Sequence, residues 1–254
     1  METRLNQTKK LVYETSALIL DLLKNNLEIE AKSEKDWVTN IDKEAEKFLV
    51  KNLLKLYPNA SFLLEEDTVQ FKMKDELFVI DPIDGTSNLI HQKEYFGISV
   101  AYFYKKEPVF GIVLDVMADK MYVGVKNKGA TLNEKPMNKL DNNTRVDNSI
   151  LLGNITRDGL FKVSLKEILD TIPTYRYLGS GALDTCKVAQ GHASAYVFPE
   201  IKAWDIAASL IILNEVGGTF SLGGHIDTFI FDDNSYPLMA CANETVLNKL
   251  MSWT

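Results

Sequence analysis

Leu77-Phe78-Val79-Ile80 is a continuous apolar run of strand length, and it ends directly on Asp81-Pro82-Ile83-Asp84-Gly85-Thr86. A run without polar alternation is buried on both faces, so it belongs inside a layered sheet rather than at a solvated edge. Carboxylates delivered straight from such a strand are costly unless hydrogen-bonded or bound to a cation. Pro82 fixes the turn, and Gly85 lets backbone approach a ligand closely. Asp84 and Thr86 suit the opening of a helix, whose free N–H groups can hold a phosphate. Two carboxylates on one tight turn can share a hard cation such as Mg²⁺. They serve equally as an Asx turn followed by a helix cap, and the segment alone leaves both readings standing.

Around this segment the sequence alternates in texture. Leu11, Thr15, Leu18 and Leu22 recur at helical spacing. A second helix is expected from Ile41 to Leu56, with Ala45, Phe48, Leu49 and Leu53 as its stripe and Thr39 or Asn40 as its cap. Gly97–Tyr104, Val109–Val116 and Met121–Val125 are β-rich runs separated by short turns, so the first part reads as helices on a mainly antiparallel sheet. Past Asn143, strands are expected at Ile150–Leu152, Tyr175–Leu178, Ala195–Phe198 and Leu238–Cys241. Helices are expected at Leu160–Leu169, Ala182–Ala189 and Trp204–Val216, the last stopped by Gly217-Gly218. With 254 residues and no repeat or long linker, the expected organisation is two halves, 1–143 and 144–254, forming one compact unit of layered α+β or α/β class.

A net charge of −7, from 28 basic and 35 acidic residues, gives no general attraction to nucleic acid or to an anionic membrane, and neither is an expected partner. A phosphate-bearing ligand then needs a local positive source, either a metal ion or a helix N-terminus. The apolar run Ala17–Leu20 is stopped by Asp21, too short for a signal or membrane-spanning segment. Cys186 and Cys241 form no C-x-x-C, which fits a reducing, cytoplasmic compartment. His91, His192 and His225 share no metal-ligand spacing, and Cys186 lies in an apolar helical stretch that reads as core. G-x-S-x-G and P-loop patterns are absent.

Two further acidic features repeat the pattern of charge at the end of an apolar run or at a helix start. Glu65-Glu66-Asp67 follows Phe62-Leu63-Leu64, and Asp205 opens the helix that begins at Trp204. Each has a plain alternative, a solvated acidic loop for the first and a helix-dipole partner for the second.

Taken together these segments form a recognisable set. Phe78 to His91, FVIDPIDGTSNLIH, closely resembles the signature of the inositol monophosphatase family. Ala203 to Ala208, AWDIAA, continuing through Glu215-Val216-Gly217-Gly218, resembles the second signature. Asp36 to Asp42 and Ser61 to Glu66 resemble two upstream motifs, Lys128 to Asn133 a β-hairpin segment, and Gly179 to Asp184 a later helix start, all in the family order. The resemblance implies an αβαβα sandwich of the inositol monophosphatase and fructose-bisphosphatase type. It also implies a Mg²⁺-dependent, lithium-sensitive phosphomonoesterase, commonly a homodimer. Carried over, Glu65, Asp81 and the Ile83 carbonyl would hold one Mg²⁺ and Asp81, Asp84 and Asp205 a second, with a third, weaker ion near Glu65. On this reading the first half carries most of the ligands and the second completes the site. Asp42 and Thr86 resemble the pair that activates the attacking water and, with Glu65, make the catalytic set; amides at Gly85 and Thr86 would meet the phosphate.

Some positions depart from the family pattern. Leu64 stands where a glycine is usual, and Ser87 replaces a threonine. Phe198 stands where inositol-preferring relatives carry a glutamate that contacts sugar hydroxyls. A phenyl ring accepts no such hydrogen bond, and it can stack on a base instead. Lys32 and Lys202 are candidate phosphate contacts. The leading expectation is hydrolysis of inositol 1-phosphate with relaxed specificity. NADP(H) 2′-phosphatase or 3′(2′),5′-bisphosphate nucleotidase activity comes next, then fructose 1,6-bisphosphatase, with a non-catalytic binding module as the alternative of a different class.

Overall fold

A computed structural model describes residues 2–25, 28–33, 36–66, 68–156 and 160–254. The chain opens with α1 (Glu2–Asn25), a hairpin of β1 (Ile29–Ser33) and β2 (Asp36–Thr39), and α2 (Asn40–Leu56). Next come β3 (Ser61–Leu64), β4 (Glu76–Asp84), the short α3 (Thr86–His91), and β5 (Gly97–Tyr104), β6 (Glu107–Asp115), β7 (Lys120–Val125), β8 (Gly129–Leu132) and β9 (Lys135–Pro136). The remainder comprises β10 (Ile150–Gly153), α4 (Leu165–Thr171), β11 (Thr174–Arg176), α5 (Gly181–Ala189), β12 (Ala195–Ile201) and α6 (Ala203–Glu215). It closes with β13 (Thr219–Leu222), β14 (His225–Ile226), β15 (Tyr236–Cys241) and α7 (Glu244–Met251).

Strands β3 to β9 form a seven-stranded sheet in sequence order, antiparallel except for the parallel pair β3 and β4. The second sheet has six strands in the order β11-β10-β12-β15-β13-β14, with β10 parallel to both its neighbours. Alternation along β4 explains the layering. Phe78 and Ile80 pack with Ile19, Leu49 and Leu53 of α1 and α2, whereas Leu77 and Val79 pack on the other face with α5 and α6. Helices α5 and α6 also touch Phe220, Leu238 and Ala240 of the second sheet, whose outer face is covered by Ile168 of α4 and by Val246, Leu247 and Leu250 of α7. The order of layers is therefore αβαβα. Among the described residues no helix is long and apolar enough to cross a membrane.

Helix α6 lies between two sheets, and its sequence is accordingly apolar nearly all round, with Ile206, Leu210, Ile211 and Leu213 buried. It comes so close to the first sheet that a Cβ on Gly111 would lie 2.3 Å from the Ala208 carbonyl oxygen, and one on Gly124 2.7 Å from Ile212 Cα. Ser99 of β5 ties down the start of the same helix, its hydroxyl donating to the Trp204 carbonyl at 3.1 Å.

The structure differs from the sequence reading at α4. The sequence pattern predicts a helix from Leu160, yet α4 begins at Leu165, because Ser164 and Glu167 form a reciprocal capping box. Residues 160–164 instead dock on the C-terminus: Phe161 meets the Trp253 ring edge-on at 5.6 Å, and the Lys162 N–H donates to the Trp253 carbonyl at 2.7 Å.

The backbone contact beneath α6 yields a direct test. Gly111→Ala is expected to cost about 1–3 kcal/mol through overpacking. The melting temperature should fall by roughly 2–4 °C per kcal/mol. An unchanged calorimetric Tm would mean that α6 does not rest on β6.

Candidate active site

The site is built where β4 ends. Parallel pairing places Leu64 opposite Ile80, so the next residues, Glu65 and Asp81, emerge side by side, and a hydrogen bond links their carboxyl groups. Asp81 is buried, and its Oδ1 accepts the Ile83 N–H at 2.8 Å, the Asx turn that Pro82 prepares. The ladder to β5 slips between Asp81 and Asp84, which turns the second carboxylate toward the same space. Gly85 then takes φ +100, and a side chain there would crowd the Tyr95 and Gly179 carbonyls at 3.2 and 3.3 Å.

The second half meets this turn with two helix starts. At the first turn of α5, Ser180 Oγ donates to Asp84, as do the Gly181 and Ala182 N–H groups at 3.1 and 2.7 Å. At the first turn of α6, Asp205 accepts the Lys202 N–H at 3.1 Å, which leaves its carboxylate at the edge of the cleft. One oxygen from each of Asp81, Asp84 and Asp205 lies within 4.8 Å of the others. The donor set is oxygen only, and such a set suits a hard divalent cation.

Asp42 reaches the site from behind. It is the third residue of α2, buried, and its carboxylate accepts both the N–H and the hydroxyl of the cap residue Thr39. Its other oxygen lies 3.1 Å from Thr86 Oγ1, which is also 3.2 Å from the Ile83 carbonyl. A threonine hydroxyl has one proton and two lone pairs. With its proton directed at Asp42, Thr86 keeps acceptor capacity toward the cleft.

The cleft over these groups has a volume of about 1120 Å³. Glu65, Asp81, Ile83, Asp84, Gly85, Thr86, Phe198 and Asp205 all line it, so the structure brings these expected positions together, with Asp42 behind Thr86. Lys202 also lines it, but its ammonium is held by the Asp233 carbonyl and carboxylate and lies 5.4 Å from the Trp204 ring centroid. The side chain of Lys32 lies outside the described residues.

Some groups at the site were not singled out in the sequence. Ser180 was visible only as part of a helix start, and Tyr177 and Tyr196 on the cleft wall had no local signal. Glu46 is fully buried and accepts the Glu66 and Thr68 N–H groups at 2.9 and 3.0 Å, which fixes the loop after β3. Its position one turn after Asp42, on the buried face of α2, was the available clue.

Solved proteins share this architecture. SaIMPase-II with inositol monophosphate bound is 29% identical, with TM-score 0.80 over 96% of this chain and 90% of its own. The same protein bound to 2′AMP gives 29% and 0.83 over 99% and 93%. An IMPase/NADP phosphatase complexed with Mg²⁺ and phosphate is 25% identical, with TM-score 0.86 over 98% and 95%. The fold and its acidic cleft are those of a phosphoric monoester hydrolase. The model of the inositol monophosphatase family matches residues 1–233, and the inositol-1-monophosphatase of Bacillus subtilis is 35% identical over 231 residues, 87% of this chain and 86% of its own. The chain belongs to the inositol monophosphatase family.

Clustered carboxylates make the metal-free fold pH-dependent. Burial, then the charge of Glu65, raises Asp81 well above the usual carboxylate range, and the same two causes raise Asp205. Burial pushes Asp84 up to about 6 despite its three donors, and Asp184, which accepts the Tyr95 hydroxyl, up to about 7. A carboxyl whose folded pKa is raised binds more protons folded than unfolded, so stability is lost as pH rises from the unfolded value through the folded one. With chelator present, Tm should fall between about pH 4 and 7, and Mg²⁺ should restore it at the upper end. A Tm rising across that window would contradict the assignment of these shifts.

Proposed function

We propose that this chain hydrolyses a small-molecule phosphate monoester with Mg²⁺, acting on inositol 1-phosphate with relaxed specificity. The observation that carries the reading is the convergence of Asp81, Asp84 and Asp205 at the base of a cleft, with the Thr86–Asp42 pair beside them. Glu65, Asp81 and the Ile83 carbonyl would hold one ion and Asp81, Asp84 and Asp205 another, with room for a third, weaker ion near Glu65. When bound, Mg²⁺ neutralises phosphate oxygens, acidifies a water and stabilises the leaving alkoxide. Thr86 Oγ1 takes a proton from the attacking water as it passes its own to Asp42 Oδ1, and backbone N–H groups at Gly85 and Thr86 orient the phosphate. Residues 1–143 would thus supply most ligands and residues 144–254 the rest, in a lithium-sensitive homodimer working in the cytoplasm.

A second reading, a nucleotide phosphatase acting on the 2′-phosphate of NADP or on a 3′(2′),5′-bisphosphate nucleotide, is favoured by Phe198 on the cleft wall. The relatives solved with 2′AMP bound or named IMPase/NADP phosphatase support it. Phosphate release from inositol 1-phosphate, NADP and fructose 1,6-bisphosphate, with and without Li⁺, separates these readings. Release from none would refute the proposal.

Asp205→Asn removes one charge while keeping an oxygen for the Lys202 N–H, so it should fold normally and lose nearly all turnover together with Mg²⁺ affinity. Full turnover at ordinary Mg²⁺ would remove Asp205 from the ligand set. Asp84→Asn is a poorer probe, because an amide nitrogen would face the donors of α5.

Thr86→Ala keeps every carboxylate. It should lower kcat on the order of 10²–10⁴-fold, the range for a positioned acid–base group, with Mg²⁺ binding little changed. Lost metal affinity at unchanged saturating kcat would make Thr86 structural.

A further inference from the structure

We propose that Tyr177 and Phe198 form a stacking platform for a planar base, which turns the relaxed specificity of this cleft toward phosphate monoesters whose leaving group is a nucleoside. The inference rests on the phosphomonoesterase reading above and narrows its substrate. Side chains alternate along β12: Ala195 and Val197 enter the core beneath α7, while Tyr196 and Phe198 face the opposite way, into the cleft. Their ring centroids are 6.0 Å apart and their planes differ by 24°. Tyr177, just past β11, continues the row, 6.0 Å from Phe198 with planes 32° apart.

One end of this row lies beside the carboxylates. Tyr196 lines the same cleft as Asp84 and Asp205, and burial and then the charges of Asp184, Asp84 and Asp205 hold its hydroxyl protonated. At the other end Tyr177 is 57% exposed, the most exposed of the large apolar side chains among the described residues. An exposed ring at the mouth of a polar cleft, aligned with a neighbouring ring, offers its face to a flat ligand. Every nucleobase has a π-face, so such a surface selects for the presence of a base rather than for its identity. A polyol leaving group presents hydroxyls, and against the Phe198 ring these find no acceptor.

The test compares wild type, Tyr177→Ala, Tyr177→Phe and Phe198→Leu on 2′-AMP, inositol 1-phosphate and glycerol 2-phosphate with Mg²⁺. In Tyr177→Ala and Phe198→Leu, the kcat/KM for 2′-AMP relative to either baseless ester should fall about tenfold or more, through KM. Tyr177→Phe keeps the ring and should preserve the ratio. Calorimetric Kd values for 2′-AMP with Ca²⁺ in place of Mg²⁺ should weaken in the same order, without turnover. Proportional losses on all three esters, or an unmoved ratio, would overturn the platform and leave the phosphatase reading intact. Wild type that releases phosphate from none of the three would overturn the catalytic reading, whereas a ring-dependent Kd for 2′-AMP would still uphold the platform.

Discussion

Repulsion among Asp81, Asp84 and Asp205 is the force that the surrounding structure has to oppose. Like charges within 4.8 Å in a low-dielectric interior drive protons on or draw a cation in. The chain offsets part of this cost mainly with neutral donors, the charge of Lys202 helping at Asp205. Asp84 receives a hydroxyl and two amides from the start of α5, Asp81 an amide from its own turn, and Asp205 an amide from the start of α6. These donors are neutral, so the negative charge remains for a divalent ion to balance. An acidic protein can bind a phosphate ester on those terms.

Packing far from the chemistry holds this arrangement in place. Asp205 stands where it does because α6 rests on glycine backbone at positions 111 and 124 and is pinned by Ser99. Asp81 and Glu65 are neighbours because β3 and β4 are parallel with Leu64 opposite Ile80. Asp42 is aimed by a capping box whose first duty is to start α2. Ordinary elements of secondary structure thereby carry the geometry, and the loop after β3 is fixed through buried Glu46.

The parts of the site that could be read from the sequence are those with a local signature. The apolar run 77–80 ending in two aspartates and the helix opening at Trp204-Asp205 each announce an element and the charge placed at its end. Thr39 is similarly legible as a helix cap, whereas Asp42 is legible only through the motif 36–42 that resembles the family's. The bond from Ser180 to Asp84 spans 96 positions, and no periodicity reports a partner at that distance. Tyr177 reaches the cleft only because the β10–β11 pairing places it there, and three-residue β11 is too short for its pattern to fix a face. The apolar residues at 160–163 mimic a helical stripe but serve the C-terminus, so α4 starts later than the pattern suggests.

Asp84 belongs to the first sheet, while its hydrogen-bond donors belong to a helix that packs on both sheets. Its carboxylate is thus a joint as well as a ligand candidate. Any change in what that carboxylate holds, a proton or an ion, alters the acceptor strength felt by the Gly181 and Ala182 amides. The first turn of α5 therefore acts as a built-in gauge of the site's charge state. Its two backbone protons register, from the far side of the carboxylate, what the open side has bound.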